Sequence, residues 1–400
     1  MLKTPVRILS YSFFLCSLGF LVGCRPTASV DARQGGGVGA PAPAVLLPGA
    51  DRLLTDTARV LAGMSLDPSS PLAPVAAKPE WRAWQKEFDT QWTHATTERF
   101  VHMAAWRDQE LKAVTGDCST LMYPFSGPDI LNAWLLFPDC RRYVLFGLEQ
   151  PGSLPPLEQL PADRLARLLD ETRNALNDLL ARNYFITKHM LKDTAAQELH
   201  GTLPLMAVFL VRMDAQLISA RDVEIAEDGQ LRPRTPPSKE RRAASALELV
   251  FVRPGHDPQT VIYIRAPADD AVINRRPGVL PFLERDAPYA TFLKSASYLL
   301  HGKEFSVVRK LLLSKSRLVL EDDSGIPLRY LKAPEWTVTL YGKYEKPVKD
   351  FNYGYQADMA AAYADTRAVK PLTFSFGYHW TAGAGASVLL AVKNPSAPVQ

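Results

Sequence analysis

The sequence predicts an α/β or α+β fold, with helices packed on a mixed sheet, and three features carry that expectation. The segment 142–148 (RYVLFGL) is a run of aromatic and branched side chains, as in a strand buried on both faces. Over 161–183, Leu165, Leu168, Leu169, Leu176, Leu179 and Leu180 recur at helical spacing, with Asp, Glu and Arg opposite. That helix is too short for a free coiled coil and should cover one face of the sheet. Strand-like and helix-like stretches alternate without an internal repeat or a clear linker, which places 51–393 in one globular unit.

In chain order, 51–64 alternates at helical spacing and 67–78 is a Pro-rich break. Pro79 opens a long helix with Trp81, Trp84, Phe88 and Trp92 on one stripe, continued by Ala95, Met103 and Trp106 to Leu111. Exposed tryptophans would stack on sugar rings, but a stripe at this spacing favours core. After 161–183, helix is expected to continue over 184–199. The wholly apolar 203–210 (LPLMAVFL) is a buried strand or helix, read here as strand.

A strand over 214–225, a turn at 227–229 and an exposed basic loop, 232–242 (RPRTPPSKERR), come next. The runs 247–252 and 261–265 flank Pro254-Gly255-His256-Asp257-Pro258 and read as a β-hairpin. Helices are expected over 289–300 and 305–314, and a short strand over 317–320. The acids of 321–325 (EDDSG) lack the spacing of a known calcium loop, so a solvated turn is expected. A strand over 336–341 follows. The last expected hairpin pairs 374–380 with 387–392 around Gly383-Ala384-Gly385, and 394–400 is a tail.

The stretch 115–152 organises the rest. Residues 121–125 form a short apolar run that Pro124 confines to a strand end. Ser126-Gly127-Pro128-Asp129 fits a capping box with Ser126 at the N-cap, ahead of a helix over 130–137. With 142–148 as second strand, about 16 residues of connection suffice for a right-handed parallel βαβ crossover around 121–148. Both strands then end on one sheet edge carrying Ser126, Asp129 and Glu149, where open α/β sheets bind ligands.

These three residues have two readings. In one, Ser126 and Asp129 cap a helix and Glu149 begins a loop. In the other they are candidate catalytic residues of a hydrolase-like enzyme, because two carboxylates can divide acid and base roles. The Gly-x-Ser-x-Gly pattern of a nucleophile elbow is absent, and His301 or His379 would serve as base only if the fold brought it near. No Walker pattern or zinc-protease helix occurs, so no cofactor or metal is expected.

At the N-terminus, Lys3 and Arg7 precede an apolar run over 8–20, too short to span a bilayer, closed by Leu21-Val22-Gly23-Cys24. This resembles the lipobox of bacterial lipoproteins. The resemblance implies a signal peptide over 1–23, cut ahead of Cys24, and lipidation of Cys24 with diacylglyceryl and a further acyl group such as palmitate. Each buried methylene would then contribute about 0.8 kcal/mol to anchoring. Arg25 stands where an Asp would favour inner-membrane retention, which points to the outer membrane. An uncleaved anchor helix is the other reading of the same run. Residues 24–50, with GGGVGAPAPA at their centre, read as a flexible tether spanning about 25–30 Å.

Losing Lys3 and Arg7 takes the formal charge from +4 to +2, which leaves no basic footprint for nucleic acid. Cys16 leaves with the signal and Cys24 is lipidated. Cys118 and Cys140 remain, as a disulfide in an oxidising compartment or as two buried thiols. No His or further Cys stands at ligand spacing, so the pair is not read as a metal site.

The blocks YPFSGPD at 123–129, YVLFGLE at 143–149, EDDSGIPLRY at 321–330 and FGYHW at 376–380 resemble those of a group of exported bacterial proteins of unassigned activity. The likeness implies a full-length member of that group and carries no functional residue across. Two expectations result. The first is an envelope lipoprotein with a binding or scaffolding role, whose partners are the membrane, through Cys24, and an envelope glycan or protein. The second is the exported hydrolase-like enzyme.

Overall fold

A computed structural model describes residues 45–234, 242–381 and 385–395. Residues 1–44, which hold the expected signal, Cys24 and most of the expected tether, lie outside the described residues, as do 235–241, 382–384 and the tail beyond 395.

The strands are β1 (Thr120–Tyr123), β2 (Arg142–Gly147), β3 (Gln216–Ile225), β4 (Leu231–Pro233), β5 (Ala244–Val252), β6 (Gln259–Arg265), β7 (Tyr289–Leu293), β8 (Ser316–Glu321), β9 (Trp336–Gly342), β10 (Val369–Lys370) and β11 (Ser387–Lys393). They form one 11-stranded sheet in the order β10-β9-β11-β8-β7-β1-β2-β6-β5-β3-β4. Its centre, β8-β7-β1-β2-β6, is parallel, and antiparallel pairs extend it on both sides. The protein is therefore of the α/β class with a mixed sheet.

Period-two alternation divides the core between the sheet faces. Leu121, Tyr123, Tyr143, Leu145 and Phe292 point to one side, under helices Arg52–Leu61, Pro79–Ala95, Ala162–Arg182 and Leu203–Arg212. Met122, Val144, Phe146, Ile262 and Leu293 point to the other, under Val279–Arg285, Ser306–Lys315 and Ala357–Ala364. Both sides being covered, the central strands carry no polar face. The tryptophan stripe is core as expected: Trp81, Trp84, Phe88, Met103 and Trp106 are buried.

The crossover at 121–148 forms as expected. β1 and β2 are parallel, Thr120 beside Arg142 and Tyr123 beside Leu145, joined through the helix Ile130–Leu136. At their start, Cys118 and Cys140 are disulfide-bonded with Cα atoms 4.5 Å apart. Arg141 N donates to Cys118 O and Arg142 N to Ser119 O, so bridge and ladder begin together. The hairpin β5–β6 and strands β3 and β9 also stand where expected.

Several expectations are corrected. Residues 203–210 belong to a helix, Leu203–Arg212, not a strand. Pro204 lies in its first turn, where a missing N–H is harmless, and the helix is enclosed on every side, which erases its period. Helix does not continue unbroken over 184–199: Asn183 is left-handed (φ 69°) and a separate helix spans Thr187–Asp193. The expected helix 289–300 begins instead as β7, every residue buried between β1 and β8. A strand without a polar face shows no alternation to separate it from helix.

The expected hairpin of 374–380 with 387–392 does not form. β11 is already flanked by β8 and β9, so no edge is open to residues 374–380. Phe374 packs on Trp106 and Phe376 on Phe292 instead. Finally, the 321–325 turn is not solvated: Glu321, Asp322, Asp323 and Ser324 are buried where the internal strand β8 ends.

Candidate functional site at the switch point of the sheet

The chain runs from β1 to β2 and β6 on one side, then returns to place β7 and β8 on the other side of β1. The strand order reverses between β1 and β7. Loops leaving neighbouring parallel strands in opposite directions open a crevice there, beyond the carboxyl ends of the strands. That crevice has a volume of about 780 Å³. Its wall takes Phe125 to Gly127 after β1, Leu148 and Glu149 after β2, Ala266 to Ala268 after β6, and Ser295 and Ser297 after β7. Tyr184 to Thr187 and Val348 to Phe351 close its sides, with Tyr378 and Trp380. Most of the lining is aliphatic or aromatic, and its charged members are Glu149, Lys349 and Asp350.

Ser126 and Glu149 line this crevice, whereas Asp129 does not. Phe146 N donates to Ser126 Oγ at 3.2 Å, and the hydroxyl has Gly127 O (2.9 Å) and Phe146 O (3.2 Å) as acceptors. Gly127 N also donates to Phe146 O. Ser126 thus staples the exit of β1 to the end of β2. It is not the helix N-cap. Asp129 fills that position, its carboxylate accepting Asn132 N at 3.1 Å and Asn132 Nδ2 at 2.9 Å.

Asp129 lies below the crevice in a closed polar knot. Its Oδ2 accepts Tyr123 Oη at 3.0 Å and pairs with Lys294 Nζ at 3.0 Å, with side-chain exposures of 2% and 1%. Lys294 also donates to Asn183 O. Burial pulls the lysine below its ordinary pKa while Asp129 and Asp322 oppose the shift. Nearby, Arg99 donates to Leu179 O and Leu180 O, and burial brings its pKa down to about 10. Asp129 and Lys294 therefore neutralise each other in the interior and face no ligand.

Glu149 is held differently. Its Oε2 accepts Tyr263 Oη and Leu148 N, each at 3.0 Å. Burial first, and the adjacent carboxylate second, push the Tyr263 phenol well up, which keeps it a donor. Gly147 is required here, because a Cβ at that position would lie 2.1 Å from Tyr263 Oη.

The loop after β7 was invisible to sequence reasoning because 289–300 reads as helix. Ser295, Ser297 and Tyr298 have φ of 51°, 52° and 56°, a costly region for non-glycine residues. Buried partners hold it there. Asp322 Oδ2 accepts Ser295 N at 2.9 Å, Ser324 Oγ accepts Ala296 N at 2.7 Å, and Asp323 Oδ2 accepts Tyr298 Oη. Tyr378 Oη lies 2.9 Å from Ser297 Oγ and 2.9 Å from Ser295 O, tying 376–379 to the same loop. Asp322, Asp323 and Ser324 thus support this part of the crevice wall, while Glu321 accepts Ile326 N within its own turn.

Burial, then the neighbouring Asp322, raise the Asp323 pKa to about 7. The folded state then binds the proton more tightly than the unfolded chain, so Asp323 stabilises the fold when protonated. That contribution should be lost as pH rises from about 4 to 7. Relative to Asp323→Asn, wild type should lose up to about 1.4 kcal/mol per pH unit across that window. Urea midpoints of both proteins at stepped pH check this. Parallel curves would show that Asp323 does not titrate there.

Neither histidine reaches Ser126 or lines the crevice. His301 is half-buried, and desolvation lowers its pKa to about 4. His379 Nε2 lies 3.9 Å from Asp323 Oδ1. Among the described residues, no group of His, Cys, Asp and Glu could hold a metal ion, and no helix is long and apolar enough to cross a membrane. The chain matches no protein-family model, no curated protein and no solved structure.

Proposed function

We propose that this protein is a cell-envelope lipoprotein, anchored through Cys24, whose crevice at the carboxyl edge of the sheet binds a partly apolar ligand without transforming it. One observation carries the binding role: an aliphatic and aromatic crevice of about 780 Å³ opens at the switch point of the sheet, the usual form and place of a small-molecule site. The anchoring rests on the Leu21-Val22-Gly23-Cys24 sequence. Lipid chains on Cys24 and the tether over 24–50 would hold the crevice near a membrane, the outer membrane by the residue at 25, where apolar molecules are concentrated.

The hydrolase-like alternative has less support. Ser126 Oγ is committed to the backbone of β2, Asp129 is consumed by Lys294, and the three candidates share no cavity. Ser126→Ala should leave nitrophenyl acetate hydrolysis at the background of wild type. A clear fall in that variant would favour the enzyme reading.

The binding role is tested by titrating the neutral apolar fluorophore N-phenylnaphthylamine into the chain from Ala42 onward, which carries every described element. Saturable one-to-one enhancement is expected, and a linear, unsaturable signal would remove the proposal. For the anchor, Cys24→Ala should move the protein from the membrane to the soluble fraction of cells. Unchanged membrane association would contradict lipidation.

A further inference from the structure

Of the three charged residues that line the crevice, Glu149 is buried, while Lys349 and Asp350 are exposed. In the interior below, Asp129 meets Lys294, and Arg99 Nη2 donates to two carbonyl oxygens. Glu149 is only 4% exposed and its Oε2 accepts two hydrogen bonds from neutral donors. Among the described residues no cation pairs with it and none hydrogen-bonds its Oε1. A carboxylate held in a largely dehydrated wall without a countercharge is costly, and proteins pair such groups.

The surroundings of Glu149 suit a cation. Asp350 adds a second acid to the lining, against the single lysine Lys349. The Tyr378 ring lies 4.9 Å from both Tyr184 and Phe351, and Trp380 stands 36% exposed at the same wall. Aromatic faces attract ammonium groups and accept flat apolar bodies alike.

Resting on the binding role proposed above, we infer that the crevice takes a ligand with an apolar, aromatic body and a protonated amine, whose ammonium docks on Glu149 Oε1. The amine supplies the countercharge that the fold withholds. Binding involves no covalent step.

The test is displacement of N-phenylnaphthylamine by tryptamine, tryptophol and indolepropionate, which share one ring system and differ in the charge of the end group. Tryptamine should displace the probe at about tenfold lower concentration than tryptophol, as a charge-assisted hydrogen bond implies, and indolepropionate should be weakest. In Glu149→Gln, which can still accept from Tyr263 and Leu148, the gap between amine and alcohol should shrink to about twofold when both are referred to that variant's own probe affinity. Equal displacement by amine and alcohol in wild type would overturn the inference, as would an undiminished gap in Glu149→Gln. If that variant does not fold, the wild-type series decides alone. Failure of the probe to bind at all would instead strike the binding role itself.

Discussion

Lys294→Met should lower the unfolding free energy by about 3–5 kcal/mol, because it leaves the Asp129 carboxylate buried without its countercharge. A domain is stable by only about 5–15 kcal/mol, so a large fraction of the protein's stability is at stake. The same reasoning applies from the other side. Asp129→Ala should cost more than the roughly 0.5–2 kcal/mol of a lost helix cap, since it strands Lys294 as well. Adding Asp129→Asn to Lys294→Met should restore part of the loss: the charge is gone and the amide oxygen still accepts Tyr123 Oη. Urea midpoints of the single and double variants check this. A loss below about 1 kcal/mol for Lys294→Met would mean that water reaches the pair.

Removing the disulfide should have the next largest effect. Cys118 and Cys140 are 22 residues apart, and opening a loop of that size releases roughly 3 kcal/mol of restraint on the unfolded chain. The bridge lies at the amino ends of β1 and β2, opposite the crevice. Cys118→Ser with Cys140→Ser should therefore lower the midpoint while probe affinity per folded molecule stays unchanged. Reduction of the wild type should reproduce the shift. If affinity falls in step with stability, the two edges of the sheet are coupled in a way that the register of β1 and β2 does not explain.

Parts of this architecture were legible because local chemistry and global packing agree there. The βαβ unit was readable from Pro124, from the 130–137 helix and from the apolar β2, each of which has one natural role. The leucine stripe of Ala162–Arg182 kept its period because one face of that helix meets solvent. Illegibility came from enclosure. β7 and the helix Leu203–Arg212 are buried on all sides, so neither shows the alternation that separates strand from helix.

The site was half readable for a related reason. Ser126 and Glu149 follow strands recognised in the sequence, and the structure puts both on the crevice. Ser295, Ser297 and Tyr378 could not be found, because they depend on β7 and on a loop that packs on Phe292 instead of pairing with β11. The acids 321–323 look like a solvated turn in sequence. Only the position of β8 inside the sheet shows that they are buried and that Asp322 and Asp323 support that loop. Asp129 takes the N-cap expected of Ser126, and Ser126 instead binds β2, since the cap is set by where the chain enters the first turn.

The crevice at the switch point is the proposed place where this protein meets its ligand. Ile186→Trp is the variant to make, because Ile186 is half-buried in the crevice wall, in the segment between two helices and outside the sheet. N-phenylnaphthylamine affinity should fall at least about tenfold while the unfolding free energy from urea stays within about 0.5 kcal/mol of wild type. Unchanged probe affinity in a stable Ile186→Trp protein would place the binding site elsewhere and rule the crevice out.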